Sequence, residues 1–167
     1  MRKTHLAIAL GLLSAEPGHG VYFTTAIEMT RRLAKSLAEN RLHRELHNLT
    51  RPKLLIIDEV GYLQLDRTQA SLFFQVISQR YDNNSAIILT SNKAFSDWAE
   101  VFARDAVMAS AALDRLLDRC TIINIRGESF RLKEKRQAAR STLNALLDTS
   151  AVSAQPDPTT KEETAMT

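Results

Sequence analysis

The chain has 167 residues, which is enough for one domain with a sizeable hydrophobic core. Hydrophobic residues make up 44% of it and charged residues 25%, and no segment is long and apolar enough to span a membrane. The formal net charge of +3 permits a nucleic-acid partner without requiring one. We therefore expect a globular protein of the cytoplasm and exclude a helical membrane protein.

Residues 1–17 share features with a secretory signal, because a basic start precedes a short apolar run. Leu13, however, stands where such signals favour a small residue. The same stretch also fits an apolar helix that includes Leu6, and we favour the helix over the signal.

Apolar segments that fit strands alternate with segments of helical periodicity, and this order predicts a parallel sheet covered by helices. We assign residues 1–148 to one domain and expect a disordered tail at 149–167, where Ala, Ser, Pro, Thr and acidic residues predominate. In chain order after the first helix, the patterns predict a strand at 21–24, helices at 25–38 and 42–49, a strand at 53–58, a helix from 66, a strand at 86–90, helices at 96–102 and 106–117, and a strand at 121–125.

Polar residues terminate two of these strands. The strand at 53–58 leads into the paired carboxylates Asp58 and Glu59, and the strand at 86–90 leads into Thr90-Ser91-Asn92. Open α/β sheets bind ligands at the carboxyl ends of their strands, so these groups suggest half of a nucleotide-hydrolysing site. There Asp58 would hold Mg²⁺, Glu59 would polarise the attacking water, and Asn92 would orient that water or the γ-phosphate. The alternative is a buried strand that ends in solvated acids, and the second polar strand end favours the site.

The start of the chain supplies the expected partner of such a site. Lys3-Thr4 matches the last two positions of a Gly-x-x-x-x-Gly-Lys-Thr phosphate loop, although Arg2 stands where the second glycine is expected. In that loop the lysine reaches the β- and γ-phosphates of ATP and the threonine meets Mg²⁺. The apolar helix that follows, and the later Asp-Glu strand, support this interpretation.

Basic residues cluster in two regions, and neither region has the interleaved aromatic residues of a base-stacking surface. Solvated helix faces explain each cluster alone, and any DNA contact is expected to involve phosphates rather than bases. The first cluster comprises Arg31, Arg32, Lys35, Arg41, Arg44, Arg51 and Lys53; the second comprises Arg126, Arg131, Lys133, Lys135, Arg136 and Arg140.

Arg115 and Arg119 lie four residues apart and are expected on one helix face. An arginine at such a place can complete the phosphate site of a neighbouring subunit. The alternative is a surface lattice of salt bridges with Asp114 and Asp118, and the spacing alone favours this alternative.

The chain closely resembles the IstB-like proteins, AAA+ ATPases that help insertion-sequence transposases, and it resembles the bacterial helicase loaders less closely. The resemblance implies a P-loop NTPase fold of the AAA+ type with ATP and Mg²⁺ as cofactors. It also implies a homo-oligomer that assembles on double-stranded DNA and recruits a transposase. The matching segments are KTHLAIALG, LLIIDEVGYLQLD, LFFQVISQRYD, IILTSNKAFSDWAEVF, AALDRLLDR and INIRGESFRLKE.

The resemblance also implies roles for individual residues. Asp58 and Glu59 would be the Mg²⁺ ligand and the water-activating base, and Asn92 would be the polar sensor. Arg115 would be the arginine finger of the segment that contains LDRLL. Lys3 and Thr4 would be what this sequence retains of the phosphate loop.

The sequence departs from the family pattern at its start, where members carry a helical N-terminal region, a first strand and a full glycine loop. That first strand belongs between the strand that precedes Asn92 and the strand at 121–125, so its neighbours would lose ladder hydrogen bonds. We therefore expect residues 1–167 alone to bind ATP weakly at best. Three functions follow as candidates: an ATP-dependent transposition helper, a helicase loader, and a fragment that hydrolyses nothing.

Overall fold

Three parallel strands form the sheet in the computed structural model, which describes residues 3–125. The strands are β1 (Val21–Thr25), β2 (Leu54–Val60) and β3 (Ala86–Ser91), and β2 lies between the other two. The prediction of a parallel α/β sheet is therefore confirmed, with the strand that carries the paired carboxylates at its centre.

Six α-helices connect and cover these strands within the described residues, and their starts follow the local sequence. The Thr25 hydroxyl accepts a hydrogen bond from the Glu28 amide at 3.2 Å. Asp66 and Gln69 form a reciprocal capping box at the start of the fourth helix. None of the helices in this part of the chain has the length and apolar character that crossing a membrane requires. They are α1 (Lys3–Ala15), α2 (Ala26–Ala38), α3 (Leu42–Thr50), α4 (Arg67–Asp82), α5 (Trp98–Val101, preceded by a 3₁₀ turn at Phe95–Asp97) and α6 (Ala106–Asp118).

Both faces of β2 are buried, which explains its continuous apolar sequence. Leu54 and Ile56 pack with Ala7 of α1 on one face. Leu55 and Ile57 point to the opposite face, where they join the larger core formed with α2, α3, α4 and α6. A strand held from two sides in this way fixes the position of the polar residues that follow it.

Helix α1 lies close against the sheet because it carries Gly11 at the contact. A Cβ atom built on Gly11 would lie 2.7 Å from Cδ1 of Ile56, so a larger residue requires Ile56 to move. The close contact between Gly11 and Ile56 therefore sets the distance between α1 and β2. The start of the same helix carries Lys3 and Thr4.

The predicted strand at 121–125 is wrong. These residues form no regular element, and the side chains of Ile122 and Ile123 are 61% and 59% exposed. Local β-propensity is high in this segment, but a strand also needs a neighbour to pair with. Within residues 3–125 the sheet consists of β1, β2 and β3, and residues 121–125 pair with none of them. The predicted domain end at 148, the tail at 149–167 and the second basic cluster lie outside the described residues.

Arg80 is a fully buried cation at the end of α4 that the sequence analysis did not identify. Its guanidinium donates hydrogen bonds to five backbone carbonyls that belong to the end of α3 and the starts of β2 and β3. Burial lowers the pKa of Arg80 to about 10, so the side chain remains protonated at neutral pH. The acceptors are the carbonyls of Leu49 (2.8 Å), Thr50 (3.4 Å), Pro52 (3.0 Å), Lys53 (3.2 Å) and Ala86 (2.6 Å).

Candidate functional site

A β-bulge at the end of β2 positions the two carboxylates. Ile57 pairs with Leu89 and Val60 pairs with Ser91, so Asp58 and Glu59 together oppose a single residue of β3. Glu59 has a φ of 61°, in the left-handed region that residues other than glycine seldom adopt. The bulge separates the two side chains: Asp58 is buried, whereas Glu59 is exposed. Backbone conformations of this kind concentrate at functional sites.

Thr90 is the β3 residue opposite the bulge, and its hydroxyl connects both members of the pair. The hydroxyl donates a hydrogen bond to Oδ1 of Asp58 and accepts one from the backbone amide of Glu59 at 3.1 Å. Thr90 therefore fixes the rotamer of the carboxylate and the path of the backbone at once. Thr90 belongs to the polar strand end that the sequence predicts, although only Asn92 was assigned a role there.

The start of α1 meets the carboxyl ends of β2 and β3. The Thr4 hydroxyl donates a hydrogen bond to Oδ1 of Asp58 at 3.2 Å. The ammonium of Lys3 donates to the carbonyl oxygen of Ser91. The structure therefore brings together three of the predicted site residues, Lys3, Thr4 and Asp58, although they lie far apart in the sequence. We call Lys3, Thr4, Asp58 and Thr90 the strand-end network.

The turn after the bulge is packed tightly beneath this network. Gly61 has a φ of 82°, and a Cβ atom there would lie 2.6 Å from Cγ of Lys93. The hydroxyl of Ser91 donates to the carbonyl of Val60 at 2.8 Å and accepts from the Lys93 amide at 3.0 Å. These contacts hold the ends of β2 and β3 together at their last ladder pair, Val60 with Ser91.

Asn92 and Arg115 lie outside the strand-end network. Asn92 follows β3 directly and is exposed. Arg115 lies on α6, where its guanidinium carbon is 5.1 Å from the ring centre of Phe74 and its Nη1 donates to the Ala111 carbonyl at 3.0 Å. Among residues 3–125, Arg115 forms no ion pair, and it is Arg119 that pairs with Asp118, at 3.3 Å. The salt-bridge alternative for Arg115 is therefore not what the structure shows.

The donor atoms of the network suit a small hard cation. Mg²⁺ prefers oxygen ligands and commonly uses one or two protein groups together with water and phosphate oxygens. Oδ1 of Asp58 and the Thr4 hydroxyl supply two such oxygens, 3.2 Å apart. In the part of the chain that the structure describes, no group of three His, Cys, Asp or Glu residues forms a cage that would hold a metal by itself. The network therefore fits a cation that arrives with a phosphate ligand.

The start of α1 adds a second feature that suits a phosphate. The first amides of a helix lack intrahelical acceptors and point at the ligand, and the helix dipole favours negative charge there. Lys3 adds a full positive charge at the same place. The arrangement can thus bind a phosphate chain and a cation at the carboxyl end of the sheet, with an exposed carboxylate, Glu59, beside them.

Comparison with known proteins gives a family for this arrangement. The family model described as IstB-like ATP binding protein matches residues 1–138. The ATP-binding protein of insertion sequence IS21 from Pseudomonas aeruginosa is 52% identical over 142 residues, which cover 85% of this chain and 53% of that protein. The chain therefore spans about half the length of this curated relative.

Solved structures with the same fold come from replication proteins. The structure of AMPPCP-bound DnaA from Aquifex aeolicus has a TM-score of 0.58 at 21% identity and covers 65% of this chain and 33% of that one. The crystal structure of the DnaC helicase loader has a TM-score of 0.56 at 24% identity and covers 68% of each chain. At this identity the likeness shows the fold alone, and it confirms the predicted α/β fold with a parallel sheet covered by helices.

Proposed function

Since the chain belongs to the IstB-like ATP-binding proteins of insertion sequences, we propose that it is an ATP-hydrolysing helper of DNA transposition in the cytoplasm. The observation that carries this proposal is the strand-end network, in which Lys3, Thr4 and Thr90 converge on Asp58 and Ser91. Relatives named for insertion sequences favour transposition over helicase loading, because the likeness to the loader extends to the fold only.

Different residues of the network bind the phosphates and the cation of the nucleotide. Lys3 and the start of α1 bind the β- and γ-phosphates through charge and backbone amides. Thr4 and Asp58 provide the oxygen ligands for Mg²⁺, and Thr90 holds the Asp58 carboxylate in place. When bound, Mg²⁺ neutralises charge on the phosphate oxygens and thereby favours displacement at the γ-phosphate.

Glu59 and Asn92 act on the attacking water. The bulge leaves the Glu59 carboxylate exposed beside the buried Asp58, so it is free to accept a proton from water. Asn92, exposed at the end of β3, orients this water or the γ-phosphate through its amide. These two residues need no contact with one another to serve a single water molecule.

Arg115 acts on the nucleotide of a neighbouring subunit in a homo-oligomer. None of its described contacts reaches the strand-end network of its own chain, since it rests on Phe74 and Ala111. A guanidinium supplied by a second subunit stabilises charge on the γ-phosphate as that charge develops. Because the nucleotide then lies between two subunits, ATP binding favours assembly of the oligomer on double-stranded DNA. This assembly recruits a transposase.

Mixed subunits test this proposal. In a form of the protein that carries a complete glycine loop before Lys3, we expect Arg115→Ala and Glu59→Gln each to abolish most ATP hydrolysis. An equal mixture should recover several-fold more activity than either variant, because about one interface in four then pairs an intact base with an intact arginine. Phosphate release is measured over a range of mixing ratios, and no recovery at any ratio would contradict a shared site.

A further inference from the structure

An open cavity of about 510 Å³ lies at the end of the sheet opposite the strand-end network. Its lining includes Arg32 of α2, Asn48 of α3, Arg51 at the end of α3 and Lys53 just before β2. Lys53 precedes Asp58 by five residues along an extended strand, which corresponds to roughly 16 Å. The cavity is therefore distinct from the proposed nucleotide site.

The positive charge of this cavity is only partly neutralised. Glu45, whose side chain is 12% exposed, pairs with Arg32 at 2.8 Å. Burial lowers the pKa of Arg32, but the hydrogen bond to Tyr22 and the charge of Glu45 outweigh it and raise the pKa above its ordinary value. Arg51 and Lys53 are exposed and form no ion pair within residues 3–125. Two uncompensated cations therefore remain beside the Arg32–Glu45 pair.

The positive surface continues along α3. Its apolar face is buried, while Arg44, Asn48 and Arg51 occupy the exposed face at spacings of four and three residues. Between residues 26 and 53 there are seven Lys or Arg and three Glu, a net charge of +4, which exceeds the +3 of the whole chain. Among residues 3–125, positive charge is thus concentrated on this surface.

The shape and chemistry of the surface favour an extended polyanion. An enclosed site for one small anion would surround it with buried donors, whereas Arg51 and Lys53 stand at an open surface. Stacking on a nucleobase needs a free aromatic face, but the guanidinium carbon of Arg32 lies 5.8 Å from the ring centre of Tyr22. Backbone phosphates require neither feature, because they are bound by exposed cations.

We propose that the cavity at the amino ends of the strands, with the exposed face of α3, binds phosphate groups of a double-stranded DNA backbone. Arg51 and Lys53 contact the phosphates directly, and the Arg32–Glu45 pair holds the wall of the cavity. The choice of DNA as the polyanion rests on the proposed function, whereas the location of the site rests on charge and geometry.

Removing both free cations tests the site. In the full chain, Arg51→Gln with Lys53→Gln should weaken binding of a fluorescein-labelled DNA duplex by about tenfold at low salt. A plot of log affinity against log salt concentration has a negative slope. The magnitude of this slope should decrease by about 2, one unit for each lost phosphate contact. Fluorescence anisotropy at several NaCl concentrations, without nucleotide, measures both quantities. Since no nucleotide is present, failure of ATP hydrolysis would not affect this test.

A matched variant controls for the loss of charge. Arg67→Gln with Arg119→Gln removes the same charge from exposed positions outside the cavity and should leave the salt slope unchanged. Exchange of the two cations, Arg51→Lys with Lys53→Arg, should retain duplex binding, because backbone phosphates accept either cation. Equal losses in the cavity variant and the Arg67/Arg119 variant would overturn the proposal, as would loss of binding in the exchanged variant.

Sodium tripolyphosphate separates a small anion from DNA as the ligand. Tripolyphosphate should displace the duplex only when its concentration, counted in phosphate groups, is well above the concentration of phosphate groups in the DNA. If tripolyphosphate binding required Arg51 and Lys53 while duplex binding did not, the cavity would be a small-anion site and the proposal would be wrong.

Discussion

Glu59→Gln is expected to lower ATP turnover by about 10²–10⁴-fold in a form of the protein with a complete glycine loop, while ATP stays bound. The amide has the size of the carboxylate but cannot accept a proton from water. Asp58→Asn should behave differently, because Asp58 is buried in the strand-end network and holds the cation. We expect it to weaken binding of Mg²⁺-ATP itself.

Binding and turnover are measured separately in this comparison, by calorimetry and by phosphate release. Glu16→Gln is the matched control, because Glu16 is an exposed glutamate at the end of α1. It should leave both quantities unchanged. Hydrolysis by Glu59→Gln at the parent rate would show that the base is a different residue.

Arg80→Met is expected to lower the free energy of unfolding by about 3–5 kcal/mol, because each buried carbonyl that is left without a donor costs about 1–3 kcal/mol. The methionine fills similar space but donates no hydrogen bond, so five carbonyls at the junction of α3, β2 and β3 lose their donor. Removal of a buried charge offsets part of this cost, since burial itself disfavours the cation and lowers its pKa to about 10. The stability of Arg80→Lys should lie between that of the parent protein and that of Arg80→Met, because an ammonium keeps the charge but cannot reproduce the planar fork of the guanidinium.

The single tryptophan, Trp98, reports this unfolding. It is 2% exposed and lies 6.1 Å from Phe102, ring centre to ring centre. Arg67→Met serves as the control at the exposed start of α4 and should change stability by no more than about 0.5 kcal/mol. Equal denaturant midpoints for Arg80→Met and Arg67→Met would contradict the role assigned to Arg80.

Much of the fold follows from local patterns in the sequence. The run from Leu54 to Ile57 predicts a strand buried on two faces, and the Asp66–Gln69 capping box predicts the start of α4. The segment at 121–125 has the same local character, yet it forms no strand. Strand formation depends on a pairing partner that lies elsewhere in the chain, and local propensity carries no information about that partner.

Arg80 shows a different limit of the sequence. A charged residue near the end of an amphipathic helix is usually exposed, so nothing in its type indicates burial. Its spacing from Phe73 and Ile77, seven and three residues, does place it on the buried face of α4. That spacing was the available signal, and the carbonyls that make burial tolerable come from three other elements.

The candidate site was predictable in its composition but not in its connections. Lys3, Thr4 and Asp58 were predicted to act together, and in the structure Thr4 donates a hydrogen bond to Asp58 while Lys3 donates one to the carbonyl of Ser91 at the end of the neighbouring strand. The part played by Thr90 depends on the bulge, which lets one residue of β3 face two of β2. A bulge adds a residue to one strand without leaving a distinctive sequence, so the hydrogen bond from the Glu59 amide to Thr90 was not foreseeable.

A titration followed by ³¹P nuclear magnetic resonance tests whether ATP binds at the strand-end network. A form of the protein that carries a complete glycine loop before Lys3 is added to ATP with and without Mg²⁺, as the parent form and with Asp58→Asn. We expect the parent form to shift the β- and γ-phosphorus resonances more strongly when Mg²⁺ is present, and Asp58→Asn to remove this dependence on Mg²⁺. Resonances that do not respond to the parent chain, or that respond equally to both proteins, would contradict it.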